Sequence, residues 1–430
     1  MRLSSTPDTG EHDDIDLDRV DLFDARLYSD GDPHAIWRAL RRTSPVRWQS
    51  LEDGRGFWNV TRYDDVRRVL RDHAAFTSEG GNLLSMLGRP DPAAGAMVTS
   101  TDPPRHQVLR EPLTRCITPQ AIGRQERRIR EGIRRFLAPL VSEDSWNVAA
   151  AATELPMAFT GALLGVPESD WPMLARWTMA AVAPEDPWYH DGNSRLVAAE
   201  AHYGLFEYFS EQVRHRGAAA PSDDIIGGLM SAEVDGKGLT PDEIVYNCYS
   251  MTLGANGTAP HVIAATVQAL AENPDEHRRL AEHPELLPSA VEEGFRWSSP
   301  ANHFLRHAVT DVTLSGVRIA AGDPVVVWMG SANRDETVFA DPYRFDVGRN
   351  PNRHIAFGVG PHYCVGAPLA RSALTMLFAE LIALVEVFEI VGPVQHLRTN
   401  VVAGIADLPV RARLRAGRAV LPAASGGRPC

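Results

Sequence analysis

The sequence predicts a mainly α fold with small β-sheets, an α+β domain, and three observations carry that expectation. Apolar residues recur at helical spacing over residues 33–42, 63–71, 104–116, 119–140, 156–164, 196–214, 241–271 and 284–297. Several of these runs open with a proline in the first turn behind a capping threonine, as at Thr118–Pro119 and Thr240–Pro241. β-like patterns are short by comparison, at residues 56–60 and in the alternating stretch 309–327. A segment rich in Asn, Asp, Pro and Gly then runs from 330 to 360, and a long helix follows Cys364.

No Gly/Ser- or Pro-rich linker divides the 430 residues, and no internal repeat is present, so one large domain is expected over residues 26–413. Six aspartates between Asp13 and Asp24 mark residues 1–25 as an acidic, solvated lead-in, and residues 414–430 read as a flexible tail. The net charge of −12, from 43 basic and 55 acidic residues, argues against nucleic acid as a partner. One basic run stands out, Arg124, Arg127, Arg128, Arg130, Arg134 and Arg135. It reads as a solvated helix face or as part of a docking surface for an acidic redox protein. The four cysteines lie far apart, which suits a reducing, cytoplasmic setting rather than a disulfide framework. The N-terminus has no apolar signal core, and the apolar stretch 374–387 carries Glu380 and Glu386, so no membrane association is expected.

Chemistry concentrates at the segment 357–371, FGVGPHYCVGAPLAR. Gly358, Gly360 and Gly366 surround Cys364, and glycines let a backbone approach a flat ligand. Pro368 suits the first turn of a helix, so Cys364 sits just ahead of a helix N-terminus, where partial positive charge favours a thiolate. A thiolate is the axial ligand that pushes electron density into haem iron. A lone cysteine before a helix is more often a structural residue. The glycine spacing shifts that balance.

Phe357, Gly360, Cys364 and Gly366 together resemble the cysteine signature of the cytochrome P-450 family. Other segments resemble that family in the expected order. Glu293 and Arg296 stand three apart on one helix face, and Pro342, Arg344 and Phe345 match its Pro-x-Arg-Phe segment. The resemblance implies a buried structural network of Glu293, Arg296 and Arg344. It also implies a haem b cofactor with Cys364 on the iron, with Phe357, Gly358 and Gly366 against the ring. His106, Arg110, Arg306 and His362 would meet the propionates. The expected fold is the P-450 type, with haem between the long central helix and the cysteine loop. No flavin or dinucleotide fingerprint is fused to the chain, so the resemblance implies electrons from NAD(P)H through a separate ferredoxin and ferredoxin reductase.

The centre of the long helix departs from the family. Aligning Leu253-Gly254-Ala255-Asn256-Gly257-Thr258 with the usual small-Gly-x-acid-Thr motif places Asn256 at the acid and Gly257 at the alcohol. Thr258, one residue on, is then turned by about 100° and expected to face elsewhere. Pro260 has no N–H, so the Asn256 carbonyl loses its helical partner and a local opening is expected. The resemblance draws the substrate pocket from Leu83, Leu84 and Met86, Met173 and Trp177, Leu253, His303 and Phe304, and Val401 and Val402. The expected activity is monooxygenation of a small organic substrate, a natural-product intermediate. The missing acid and alcohol keep open an outcome such as oxidative coupling, ring formation or peroxide-driven oxidation. A haem-dependent sensor or substrate-positioning protein is the non-enzymatic alternative.

Overall fold

The computed structural model describes residues 15–190, 192–217, 222–234 and 236–416. Helices dominate. Tyr63–Arg71 and Arg105–Cys116 match their sequence patterns closely, and the helix Ser194–Arg216 extends its pattern by two residues at each end. Thr240 caps Pro241–Asn256 through a reciprocal capping box with Glu243, as the Thr-Pro start requires. The run 119–140 is not continuous: Pro119–Arg124, Glu126–Leu137 and Pro139–Ser142 are separate helices. Pro139 has no N–H to continue the preceding ladder, so a new turn begins there. Two helices had no readable period, Trp171–Val182 and Pro274–Glu282. The first is apolar on most positions and buries Trp171, Leu174, Ala175, Thr178, Met179, Ala180 and Val182, so no stripe stands out.

The larger sheet has five strands in the order Val46–Ser50, Gly56–Val60, Pro324–Trp328, His303–Ala308, Phe76–Thr77. Pro324–Trp328 runs parallel to Gly56–Val60, with Val325 opposite Trp58, and antiparallel to His303–Ala308, with Trp328 opposite His303. Both neighbours are needed to bury Val325, Val326, Val327 and Trp328 completely. A three-stranded sheet joins Val385–Ile390, Pro409–Leu414 and Trp146–Asn147. The irregular stretch carries one short helix, Met329–Ala332, and then no regular element until Ala367–Leu384. That last helix is long and apolar enough to cross a membrane by length and composition, yet Leu377 and Leu381 are fully buried inside the protein.

The lead-in differs from its sequence reading. Leu22 is buried, and Leu17, Val20 and Phe23 pack with it against the cluster of Trp37 and Trp328. Asn400 ties this segment down by donating to the Phe23 carbonyl at 2.7 Å. The apolar residues interleaved with the aspartates were outweighed by the charge count. Residues 1–14 lie outside the described residues, as does the tail from 417 on, whereas Leu414 is the last residue of a strand.

Inside the core His261 is buried with neither ring nitrogen partnered, and burial pulls its pKa down to about 4 from 6.5. A proton therefore binds the unfolded chain more readily than the folded one. The stability His261 confers is present above pH 6.5 and is lost as the pH falls towards 4. Across that window one such group contributes a slope approaching about 1.4 kcal/mol per pH unit. Unfolding midpoints should fall with acidification, and His261→Leu should flatten the slope by about one proton. An unchanged slope would show that His261 is solvated.

Candidate active site

The cysteine loop is held from several sides. The Cys364 amide donates to the Phe357 carbonyl at 2.8 Å, and Gly358 and Gly360 take φ of 70° and 79°, a region that disfavours any side chain. A Cβ on Gly360 would also press on the backbone of Leu70 and Arg71, so this glycine is required twice over. Arg371, one turn into the following helix, donates to both oxygens of Glu292 and to the Tyr363 hydroxyl, and stacks 4.4 Å from the Phe357 ring centroid. With His354 also on Glu292, this network pulls the Glu292 carboxyl down to about 2, against the opposing effect of burial. It fastens the loop to the helix Leu287–Ser298.

Cys364 keeps an exposed surface, although protein atoms crowd round its sulfur. Burial pushes its thiol up, and this outweighs the downward pull of the Gly366 and Ala367 amides, Arg110 and Arg371. The helix N-terminus alone therefore does not make the thiolate. A cation at the sulfur is what completes the balance.

His106, Arg110, Arg306 and His362 converge beside this loop. The rings of His106 and His362 lie 4.5 Å apart, and Arg110 donates to the Tyr363 carbonyl. Both ring nitrogens of His106 are buried without a partner. Arg306 is buried, donates to the Leu305 carbonyl at 2.8 Å, and has its pKa pulled down to about 10 by desolvation. Burying cationic and polar donors in this state is costly, so the cluster calls for anions. A thiol awaiting a cation beside donors awaiting carboxylates is the donor set that haem, with one iron and two propionates, would satisfy.

The structural network is real, but its third charge is not Arg344. Glu293 and Arg296 are fully buried and paired through both oxygens at 2.7 Å. Arg349 Nε and Asn352 Nδ2 complete Glu293, with the Asp346 amide. The Arg344 side chain is 63% exposed and lies 3.7 Å from Glu276. Its neighbour Phe345 is buried against Trp297, which turns the preceding side chain outward. The segment still serves the network through its backbone, because the Pro342 and Arg344 carbonyls accept from Arg296. Nothing local in the sequence distinguished Arg349 from its neighbours.

The long helix breaks as Pro260 implied. Pro241–Asn256 ends, and Ala259–Glu272 begins after Gly257 and Thr258, with the His261 and Val262 amides both on the Thr258 carbonyl. Thr258, however, does not face away from the open side. Its hydroxyl donates to the Gly254 carbonyl at 2.6 Å, and a Cβ on Gly254 would meet nothing within 4 Å. Residues four apart share a helix face, so Gly254 and Thr258 stand together on the open side. Gly257 faces Val182, which a Cβ would approach at 3.2 Å. Asn256 is buried, with its amide on the Thr252 carbonyl and beside Met157 Sδ. At Gly257 a Cβ would lie 2.8 Å from the Leu253 carbonyl as well as against Val182, so the glycine is required there, and the Thr258 hydroxyl stands one residue on.

Of the expected pocket residues, Leu253, Val401 and Val402 come together with Met179, Val182 and Leu397 in one apolar cluster. Leu84 and His303 do not line a pocket. Both are buried completely, and His303 pins the Leu84 amide to the Asn400 carbonyl. Trp177 packs on Gly204, Met173 is 37% exposed, Phe304 packs towards the sheet core beneath Arg306, and Leu83 and Met86 are half-buried.

Fold and site together define a haem-thiolate oxygenase. The family model for cytochrome P450 matches residues 193–403. The chain is 36% identical over 415 residues to cytochrome P450 126 of Mycobacterium tuberculosis, covering 92% of this chain and 98% of that protein. It is 33% identical to linalool 8-monooxygenase of Pseudomonas putida, covering 92% and 99%. The crystal structure of P450 OxyD, involved in the biosynthesis of vancomycin-type antibiotics, superposes with a TM-score of 0.83 at 33% identity, covering 92% of this chain and all of that one. The chain belongs to the cytochrome P450 family and is an oxidoreductase of the monooxygenase kind. The sensor alternative falls with that finding.

Proposed function

We propose that this enzyme oxidises a medium-sized, largely apolar natural-product intermediate, with electrons from NAD(P)H delivered by a separate ferredoxin and ferredoxin reductase in the cytoplasm. The observation that carries the reading is the apolar wall of Leu253, Val182, Val401 and Val402 meeting the helix break at Gly254 and Thr258. The involvement of OxyD in the biosynthesis of vancomycin-type antibiotics and the linalool in the name of the Pseudomonas enzyme support a natural-product substrate. The described cysteines Cys116, Cys248 and Cys364 are free, which suits a reducing compartment.

Cys364 would hold the iron, and His106, Arg110 and Arg306 would hold the propionates. Bound haem supplies the oxygen-activating centre. The chain's part is then to seat an apolar substrate against Leu253 and Val402, keep bulk water out and hold a proton nearby. Thr258 Oγ1 is the group placed for that last task. Gly257 has no side chain, and the buried Asn256 amide does not titrate.

Positioned proton donors are worth about 10²–10⁴-fold. Thr258→Ala should therefore lower product formed per electron by roughly 10²-fold, releasing peroxide instead, while substrate still shifts the haem spin state. Asn256→Ala should leave coupling nearly intact. The reverse ranking would assign the role to Asn256, as a positioner of ordered water. A second reading, oxidative coupling or ring formation, is favoured by one observation: the Leu253 carbonyl and Val182 crowd the space an alcohol at position 257 would need. Screening natural-product libraries by spin-state shift, then identifying products with ferredoxin and reductase added, decides between the two. A peroxide-only turnover would overturn the electron route.

A further inference from the structure

A cleft beside the helix Pro33–Thr43 takes no part in the haem site. Arg38, Arg41, Arg42 and Arg62 line it around a volume of about 270 Å³, together with Asp335, Glu336 and Thr337. We infer that this cleft binds a small oxyanion of the phosphate kind, held by Arg38 and Arg62.

The acids in the cleft are already occupied. Arg41 is buried and forms the floor, and every hydrogen of its guanidinium is taken. Its Nε and Nη2 donate to the two oxygens of Glu336 at 3.0 and 2.8 Å. Nη2 also donates to the Tyr343 hydroxyl, and Nη1 to the carbonyl and hydroxyl oxygens of Ser331. Glu336 is thus neutralised by the residue beneath it. Asp335 is buried too, and backbone and side-chain donors occupy both of its oxygens. The Tyr63 amide donates to one at 2.8 Å, and the Thr337 amide and hydroxyl donate to the other.

The outer arginines are not occupied in this way. Arg62 gives its Nε to the Arg41 carbonyl at 3.0 Å, and neither Nη has an acceptor among the described residues. Arg38 lies with its Nε 3.7 Å from Glu336, too far for a hydrogen bond, and its guanidinium carbon 5.8 Å from the Tyr343 ring centroid. Arg42 shares the rim and is already engaged. Planar guanidiniums with paired hydrogens match an oxyanion two oxygens at a time, which a halide cannot reproduce.

A separate observation lies behind the cleft. Arg334 is 1% exposed, donates to the Trp297 carbonyl at 2.7 Å, and has no carboxylate paired with it among the described residues. Burial pulls its pKa down to about 9, and repulsion from Arg296 and Arg41 adds to that. Glu293 attracts it, but Glu293 is shared by Arg296 and Arg349. A buried cation in excess makes the field over the cleft positive, and walls of low dielectric focus it.

The test is calorimetric titration of the holoenzyme with inorganic phosphate, in chloride buffer of matched ionic strength. Saturable binding is expected, and Arg62→Gln and Arg38→Gln should each weaken it about tenfold or more. Arg38 is a rim residue, so its variant keeps the test sound even if Arg62→Gln folds poorly. Arg195→Gln, an exposed arginine on the helix Ser194–Arg216, should bind as the native protein does. Adenosine diphosphate in place of phosphate separates two sources of the same chemistry. Tighter binding assigns a phosphoryl group carried by a larger molecule, and equal or weaker binding assigns the free anion. Two results would overturn the inference: heats that chloride reproduces, or unchanged phosphate affinity in folded Arg38→Gln and Arg62→Gln. No haem-site residue lines the cleft, so either result leaves the haem reading standing.

Discussion

A Cys364→Ala variant is expected to form no substrate oxidation product, and its reduced carbon-monoxide complex should lack the strongly red-shifted Soret band of thiolate ligation. Haem content and ligation need to be read apart. The cluster of His106, Arg110 and Arg306 that would hold the propionates does not include the cysteine, so part of the haem should still be retained after the sulfur is removed. The glycines that shape the loop are unaffected by the change, so loss of the thiolate band cannot be put down to collapse of the loop. A variant that kept the red-shifted band would mean that another sulfur ligates, and Cys116 and Cys248 would be the residues to test, although burial pushes both thiols up. Burial pushes the wild-type thiol up, and haem loading should be accompanied by release of a proton.

Much of the fold was legible because helix starts carry local chemistry. Thr118, Asp32 and Thr240 each cap a helix whose first residue is proline, and all three caps are made. What was illegible lacked a period or depended on distant partners. Trp171–Val182 is apolar nearly all round. The ordering of residues 15–25 depends on Trp37, Trp328 and Asn400, far along the chain. At the site, Cys364 and its glycines were readable from spacing, whereas His106, Arg110, Arg306 and His362 were singled out only through the family resemblance. The misreading at the helix centre was the facing of Thr258, whose hydroxyl turns onto the Gly254 carbonyl. The i, i+4 relation of Gly254 and Thr258 was in the sequence and would have corrected it. Arg349 was beyond reach, since which arginine turns inward depends on Phe345 packing under Trp297.

Glu293→Ala is expected to yield little folded, haem-loaded protein, and the comparison with Arg344 is what makes the experiment decisive. Glu293 accepts from Arg296 through two nitrogens, from Arg349, from Asn352 and from the Asp346 amide, with no exposure to water. Truncating it leaves two buried guanidiniums without their counter-charge, at a cost of about 3–5 kcal/mol. Against total stabilities of about 5–15 kcal/mol, that is enough to deplete the native state. Glu293→Gln keeps the shape and one acceptor and should fall between. The network spans 293 to 352, from the helix Leu287–Ser298 across the irregular stretch to the approach to the cysteine loop, so its loss should appear as haem loss as well as lowered unfolding temperature. Arg349→Ala removes a buried partner and should be severe. Arg344→Ala removes a side chain that is mostly in solvent, and a surface pair with Glu276 is worth about 0–1 kcal/mol, so it should unfold nearly as the native enzyme does. If Arg344→Ala proved as damaging as Arg349→Ala, the inward residue would be Arg344, and the assignment of Arg349 to Glu293 would be wrong.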